Sequence, residues 1–521
     1  MALAAAVMLP RLATPEFGLL DDGLTIQTGR EVSGRWSSVL ELIPETGRFF
    51  PAYWLAYSLI VAGVGARPLP FFTVNLLLLA ALLALLARLV RAAGGTTLDA
   101  AIAAAAFAVS GPAVEAFYTL SKAEPLQASW VGLSLLAAGG AASAACPAWR
   151  AGLGVLAAAA SFVAHATKET TVVLVPVTLG WLLIERRWAE SSTFWIRFAA
   201  TALAINVVGV AGFLILRSQY AALPLWEGSY TRAYALASAG PALFRIVAWL
   251  ARDFALLALV ALAAPMCLRQ RPALRRPLGY AGLWMAGWLA VYLPWPATFE
   301  YYLLPFTLGA ATLAGFVVGD LWRRRRARSA QALIAATGVL WAAGVVNAVL
   351  DARVQLAVDR ANSALVAFLG GLPPRSRVIL NMWPPNEYHF ELPMHLSELA
   401  RRPDIVVGPP DPTRLVPAPA GETFVVTAEV ANQPRPTVRI ATDEAAVGTD
   451  HARLRGAIVP GQAELVYRVV ERTPLLELGL HRLLCPLAVG PVADPTYCAA
   501  GLGLIDRRTF AYGWQVHRIR R

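Results

Sequence analysis

Long apolar runs alternate with short polar breaks through the first two thirds of the chain. The runs fall at roughly 71–90, 98–117, 125–145, 150–164, 170–184, 194–216, 242–267, 279–296, 301–320 and 330–350. Most approach the ~20 residues a helix needs to cross a bilayer core. The segment PAYWLAYSLIVAGVGA (51–66) is apolar too, yet counting it as a span upsets the in–out alternation. Laid instead in the outer interface, with Tyr53, Trp54 and Tyr57 as anchors, it leaves residues 14–70 as one large outer loop. Met1–Ala13 is apolar, too short to span, and lacks the basic start and cleavage site of a signal peptide. It reads as the end of a first helix that begins further upstream. The expected fold is a polytopic α-helical membrane domain over 1–350, with about 11 transmembrane helices.

The pattern changes beyond 351, where proline and charge rise. SRVILN (376–381), a helix over 387–400 and DIVVG (404–408) read as strand–helix–strand. TFVVTAEV (423–430), PTVRIAT (436–442) and AELVYRVV (463–470) read as further strands. Residues 351–521 are therefore expected to form a small mixed α/β domain. No repeat of fixed period is visible.

Composition supports this division. The 521 residues are 57% hydrophobic and only 15% charged, with mean hydropathy +0.55. The net charge of +12 suggests nucleic acid at first, but no binding motif for it is present. The arginines gather between apolar runs and orient them. RRRRAR (323–328), Arg269–Arg276, Arg186–Arg187, Arg150 and Arg88/Arg91 are expected in the cytoplasm. Residues 118–124, 165–169, 217–241, 297–300 and everything after 351 then lie outside, as in a bacterial inner-membrane protein. Four cysteines exclude a disulfide scaffold. Cys146 and Cys267 fall at helix ends, while Cys485 and Cys498 can pair if their domain is extracytoplasmic.

Of the 45 basic residues only Lys122 and Lys168 are lysine, and each has a glutamate nearby. An ammonium is a compact charge suited to a phosphate or carboxylate. Four outer elements carry ionisable groups at membrane level. They are LLDDGLTIQTGREV (19–32) with Asp21 and Asp22, GRFFPAYW (47–54) with Arg48, SKAEP with Lys122 and Glu124, and HATKE with His165, Lys168 and Glu169. One reading is a salt-bridge network, Lys122 to Glu124 and Lys168 to an aspartate. The other is a site for group transfer from a lipid phosphate. A carboxylate takes the acceptor's proton, and Arg48, Lys122, Lys168 and Arg217 are candidates to hold the phosphate. Asp21, Asp22 and Glu124 can also hold a divalent cation such as Mg or Mn, although this chemistry requires no cofactor.

At these residues a resemblance appears. LLDDGLTIQTGREV looks like the first outer-loop motif of the GT-C class of integral membrane glycosyltransferases. GRFFPAYWLAYSLIVAGVGARPLPFFTVNLLLL (47–79), with Arg48 and Asn75, is similar to the protein O-mannosyltransferase branch that carries transmembrane helices and tetratricopeptide repeats. LSKAEPLQASW and HATKETTVVLVP resemble that branch's later motifs, in the same order through about residue 185. Thr73 replaces a usual histidine, Lys122 an arginine, and no tetratricopeptide repeat follows. The resemblance implies a polyprenyl-phosphate-linked sugar donor, an Asp21 or Asp22 base, inversion at the sugar, and a glycan, lipid or protein acceptor outside the membrane. Arg48 and Lys168 would hold the phosphate, and Glu124 would orient the acceptor or a metal. His165 reads as a structural donor. The aromatic loop 217–241 reads as an interface belt, and PWPATFEYYLLPF (294–306), with Glu300, receives no chemistry. The rival readings are a transporter or lipid flippase, and a GT-C-like scaffold without activity. No inverted repeat or pair of broken helices in matching halves favours transport.

Overall fold

The computed structural model describes residues 2–42, 47–187, 193–220, 234–295, 299–381, 387–408, 421–431, 463–487 and 503–519, with backbone only at 485–487. Helix α1 (Ala2–Ala13) is followed by α2 (Asp22–Gly34), α3 (Pro51–Val64), α4 (Pro68–Ala92), α5 (Thr97–Ala108), α6 (Gly111–Tyr118), α7 (Glu124–Ser143) and α8 (Pro147–Thr167). Then come α9 (Leu174–Arg187), α10 (Thr193–Tyr220), α11 (Ala239–Asp253), α12 (Leu256–Gln270), α13 (Arg275–Tyr292), α14 (Leu304–Arg323) and α15 (Arg328–Gly370).

Every predicted apolar run coincides with a helix or a bent pair. Among the described residues, five helices are long and apolar enough to cross a membrane, and up to seven spans result if two bent pairs count. Length and composition therefore support fewer spans than the expected 11. The runs at 125–145, 170–184 and 279–296 form helices that are shorter or less uniformly apolar. The run at 98–117 bends by 60° between α5 and α6. Ser110 caps the second piece, accepting from Ala113 N at 3.4 Å, and Pro112 sits in its first turn. The run at 242–267 bends by 89° between α11 and α12. There Arg252 donates to Asp351 at 2.8 Å and, through Nε, to Glu477 at 2.8 Å. One buried guanidinium thus ties the bend to α15 and to the C-terminal sheet.

Helix α15 is 43 residues long, so the compositional change near 351 falls inside one continuous helix. Its second half buries Val354, Val358, Ala361 and Leu365 against the sheet. The sheet comprises β1 (Arg377–Leu380), β2 (Val406–Gly408), β3 (Thr423–Ala431), β4 (Ala463–Leu478) and β5 (Ile505–Ile519), in the order β2-β1-β3-β5-β4. Strand β1 runs parallel to β2 and β3, and the other pairs are antiparallel. Helix α16 (Glu387–Glu398) supplies the expected crossover between β1 and β2. The sequence reading missed β5, although Phe510, Tyr512, Trp514 and Val516 alternate and are all buried. The expected strand at 436–442 and most of the loop 217–241 lie outside the described residues. So does the Cys485–Cys498 pairing.

Helix α3 corrects one expectation. Tyr53, Trp54 and Tyr57 do not anchor an interface; each is 6% exposed and packs inward, while Leu55 and Leu59 face out. The 14-residue helix lies too close to α2 for its aromatic side to reach lipid. Gly29 permits that approach, since a Cβ there would stand 2.6 Å from Val61 Cγ2.

Candidate active site

Two strained turns build the centre. Asp21 has φ 67° and Ser121 has φ 61°, both left-handed. Ser121 Oγ lies 3.1 Å from Asp21 O and 3.0 Å from Asp22 Oδ1, and 2.6 Å from Thr25 Oγ1. The turns therefore brace each other. Asp22 points back into the protein, where Gly18 N donates to its Oδ2 at 2.8 Å. Burial first, then the nearby Asp359, pushes the Asp22 carboxyl up to about 7. Asp21 is 38% exposed and lines an adjacent cavity. The two adjacent carboxylates thus occupy different environments.

The lysines pair in the opposite sense to the network considered from sequence. Lys122 Nζ lies 3.2 Å from Asp21 Oδ2, and Lys168 forms a buried ion pair with Glu124. The left-handed turn at Ser121 swings Lys122 toward Asp21. Glu124 opens α7 and faces away, toward the end of α8, where Lys168 emerges. Each ammonium also rests on an aromatic face: Lys122 is 4.7 Å from the Tyr301 ring centre and Lys168 4.2 Å from that of Tyr302.

Asp21, Arg48, Glu124 and Lys168 line one cavity of about 300 Å³. Arg48 lies over the Phe50 ring at 4.0 Å. Glu169 and Arg217 do not line the cavity; they hold the segment carrying Arg48. Phe49 N donates to Glu169 Oε1 at 3.0 Å, and Arg217 Nη2 donates to Gly47 O at 3.0 Å. Asn75 likewise serves the SKAEP turn, donating to Phe117 O at 3.0 Å and Thr119 O at 3.2 Å. His165 is buried, with Nδ1 2.7 Å from Ser161 O, and also lies off the cavity. Arg217, a candidate phosphate ligand, and Asn75, a further candidate, thus each hold a neighbouring segment by its backbone.

Sequence reasoning missed the far wall. Trp295, Phe299, Tyr301 and Tyr302 complete the cavity, from the segment that had received no chemistry. Its signal was visible: five aromatic residues within 294–306 at the start of a span. Glu387 reaches the same cavity from α16. One turn on, Glu391 contacts the Asp21 turn, and burial, followed by Asp21 and Asp22, pushes its carboxyl up to about 8.

The divalent-cation option does not fit this arrangement. Asp21 pairs with Lys122, Glu124 with Lys168, and Asp22 with backbone and Ser121, so each carboxylate is engaged by a different partner. Among the described residues, no group of three or more His, Cys, Asp or Glu side chains is arranged to hold a metal ion.

No family model and no curated protein matches the chain. The fold has solved counterparts. ArnT from Cupriavidus metallidurans bound to undecaprenyl phosphate aligns with TM-score 0.51 at 15% identity, over 89% of this chain and 95% of that one. The same protein in the apo state gives 0.52 at 16%, over 82% and 91%. The Archaeoglobus fulgidus oligosaccharyltransferase tethered with an acceptor peptide is a looser likeness, 0.47 at 12% over 82% and 68%. At these identities the likeness is one of fold, and the protein O-mannosyltransferase branch rests on the motifs alone. The chain has the fold of a GT-C class integral membrane glycosyltransferase, carrying a mixed-sheet domain at its C-terminal end.

Proposed function

We propose that this protein transfers one sugar from a polyprenyl-phosphate-linked donor to an acceptor hydroxyl on the outer face of the inner membrane. The observation carrying this reading is the shared cavity, which the carboxylates of Asp21, Glu124 and Glu387 line together with two cations, Arg48 and Lys168; of the three, Asp21 sits in the loop whose motif implies the base. Asp21 is the base and takes the hydroxyl proton as the acceptor oxygen attacks the anomeric carbon. The bond from that carbon to the phosphate oxygen breaks with inversion. Arg48 and Lys168 stabilise the polyprenyl phosphate as it leaves. Glu124 holds the Lys168 ammonium in place, and Tyr302 backs it. The aromatic wall suits the apolar face of a sugar ring. Ion-paired side chains on rigid helix ends keep this geometry before substrate arrives. The C-terminal domain lies outside the membrane in this reading and helps to select a glycan, lipid or protein acceptor.

Binding tests the donor half. Purified protein should retain undecaprenyl phosphate in native mass spectrometry, and Arg48→Ala with Lys168→Met should release it. A panel of polyprenyl-phosphate sugars incubated with envelope extract should yield free polyprenyl phosphate with one donor. Retention of no polyprenyl phosphate by the wild type would reject this reading.

A further inference from the structure

Helix α2 begins without the cap its sequence offers. Asp21 occupies the N-cap position, yet its side chain makes no capping hydrogen bond. An aspartate there normally turns back to accept from the first-turn N–H groups. Those groups are instead satisfied across 368 residues of sequence. Gly23 N donates to Glu391 Oε2 at 2.6 Å, and Leu24 N (also in the first turn) to Glu391 Oε1 at 3.3 Å. Both oxygens of one side chain are used, and Glu391 is 4% exposed. The fit leaves no slack at Gly23, where a Cβ would stand 2.7 Å from Glu391 Oε2 and 2.7 Å from His395 Cδ2.

We infer that Glu391 is a positioning residue: it caps α2 from the C-terminal domain and so leaves the Asp21 carboxylate to face Lys122 and the cavity. A helix start needs its N–H groups paired, and a base needs its oxygens unoccupied by them. A single aspartate does not meet both demands, and the second carboxyl group resolves the conflict. The C-terminal domain thereby becomes part of the active-site construction. This inference rests on the reading of Asp21 as the base.

The test separates capping from turnover. Hydrogen exchange resolved to the 22–25 backbone should show the Gly23 and Leu24 amides protected in the wild type and at least tenfold faster in Glu391→Ala. Turnover should fall about 10- to 100-fold, the scale expected for a slightly misplaced catalytic group. Undecaprenyl phosphate affinity should stay within twofold, because Arg48 and Lys168 are untouched. Gly23→Ala, which leaves Glu391 in the chain but displaces it, should reproduce this split between turnover and binding. Unchanged amide exchange in Glu391→Ala, or unchanged turnover in both variants, would overturn the inference. If the wild type transfers no sugar, the proposed function fails and the exchange measurement still decides the cap.

Discussion

Lys122 and Asp21 stand 101 positions apart in the chain, and their charged groups meet at 3.2 Å. The contact joins the start of α2 to the turn before α7. It turns Asp21 toward an ammonium, whereas its neighbour Asp22 turns inward. Asp22 is held by Gly18 and Ser121 instead, with only 3% exposure. The pair is therefore functionally unequal, and exchanging either residue should say so.

Asp21→Asn is expected to lower sugar transfer by about 10²- to 10⁴-fold, the range of general acid–base contributions. Asp22→Asn should keep turnover within about tenfold, since an amide can still accept from Gly18. Steady-state transfer by monodisperse preparations of both variants checks this. Equal loss in the two would remove the distinction drawn from their environments.

Lys168 and Glu124 should be coupled in stability but not in donor binding. Lys168→Met strands a buried carboxylate, a change that typically costs about 3–5 kcal/mol. Adding Glu124→Gln should restore much of the melting temperature. Donor affinity should stay low in the double variant, because the ammonium is still missing; one charge-assisted contact is worth about 1.5–3 kcal/mol. Lys168→Arg should also bind poorly, because a longer, wider guanidinium has to replace a compact ammonium that is buried against Glu124. Thermal melts beside lipid titration give the answer, and full donor affinity in Lys168→Met would leave the residue a purely structural role.

The pH dependence follows from Asp22. Its folded carboxyl lies at about 7, above its ordinary 3.8. The folded state thus binds the proton more tightly than the unfolded chain. The associated stability is complete below about pH 4 and is lost as pH rises through about 7. Glu391 shifts in the same direction, to about 8. Melting temperature in detergent should therefore fall between pH 5 and pH 8, and Asp22→Asn should flatten its part of that slope. A slope unchanged in Asp22→Asn would argue against a raised Asp22.

Topology has a direct readout. Ser37 and Thr509 are exposed, one in the segment between α2 and α3 and the other on β5. Single cysteines at both positions, in a cysteine-free background, should react with an impermeant thiol reagent in intact spheroplasts. Labelling at only one would place the first loop and the C-terminal domain on opposite faces.

The sequence by itself determined the helical membrane class, since apolar runs of bilayer length have few other uses. It also marked Asp21, Arg48, Glu124 and Lys168, because charges beside such runs are costly without partners. Ordered motifs pointed to the GT-C class, and strand–helix–strand at 376–408 was legible from periodicity. Tertiary structure alone decided the rest. Which lysine meets which carboxylate depends on a left-handed turn at Ser121, and local sequence does not set that direction. Adjacent Asp21 and Asp22 look equivalent on paper and become different through burial. Arg217 and Asn75 turn out to brace other segments, since hydrogen-bond partners are chosen by packing. The inward face of α3 was misassigned because an aromatic stripe reads the same whether it meets lipid or protein. Glu391 carried no signal at all: its role exists only because a distant domain meets a helix start whose own cap is engaged elsewhere.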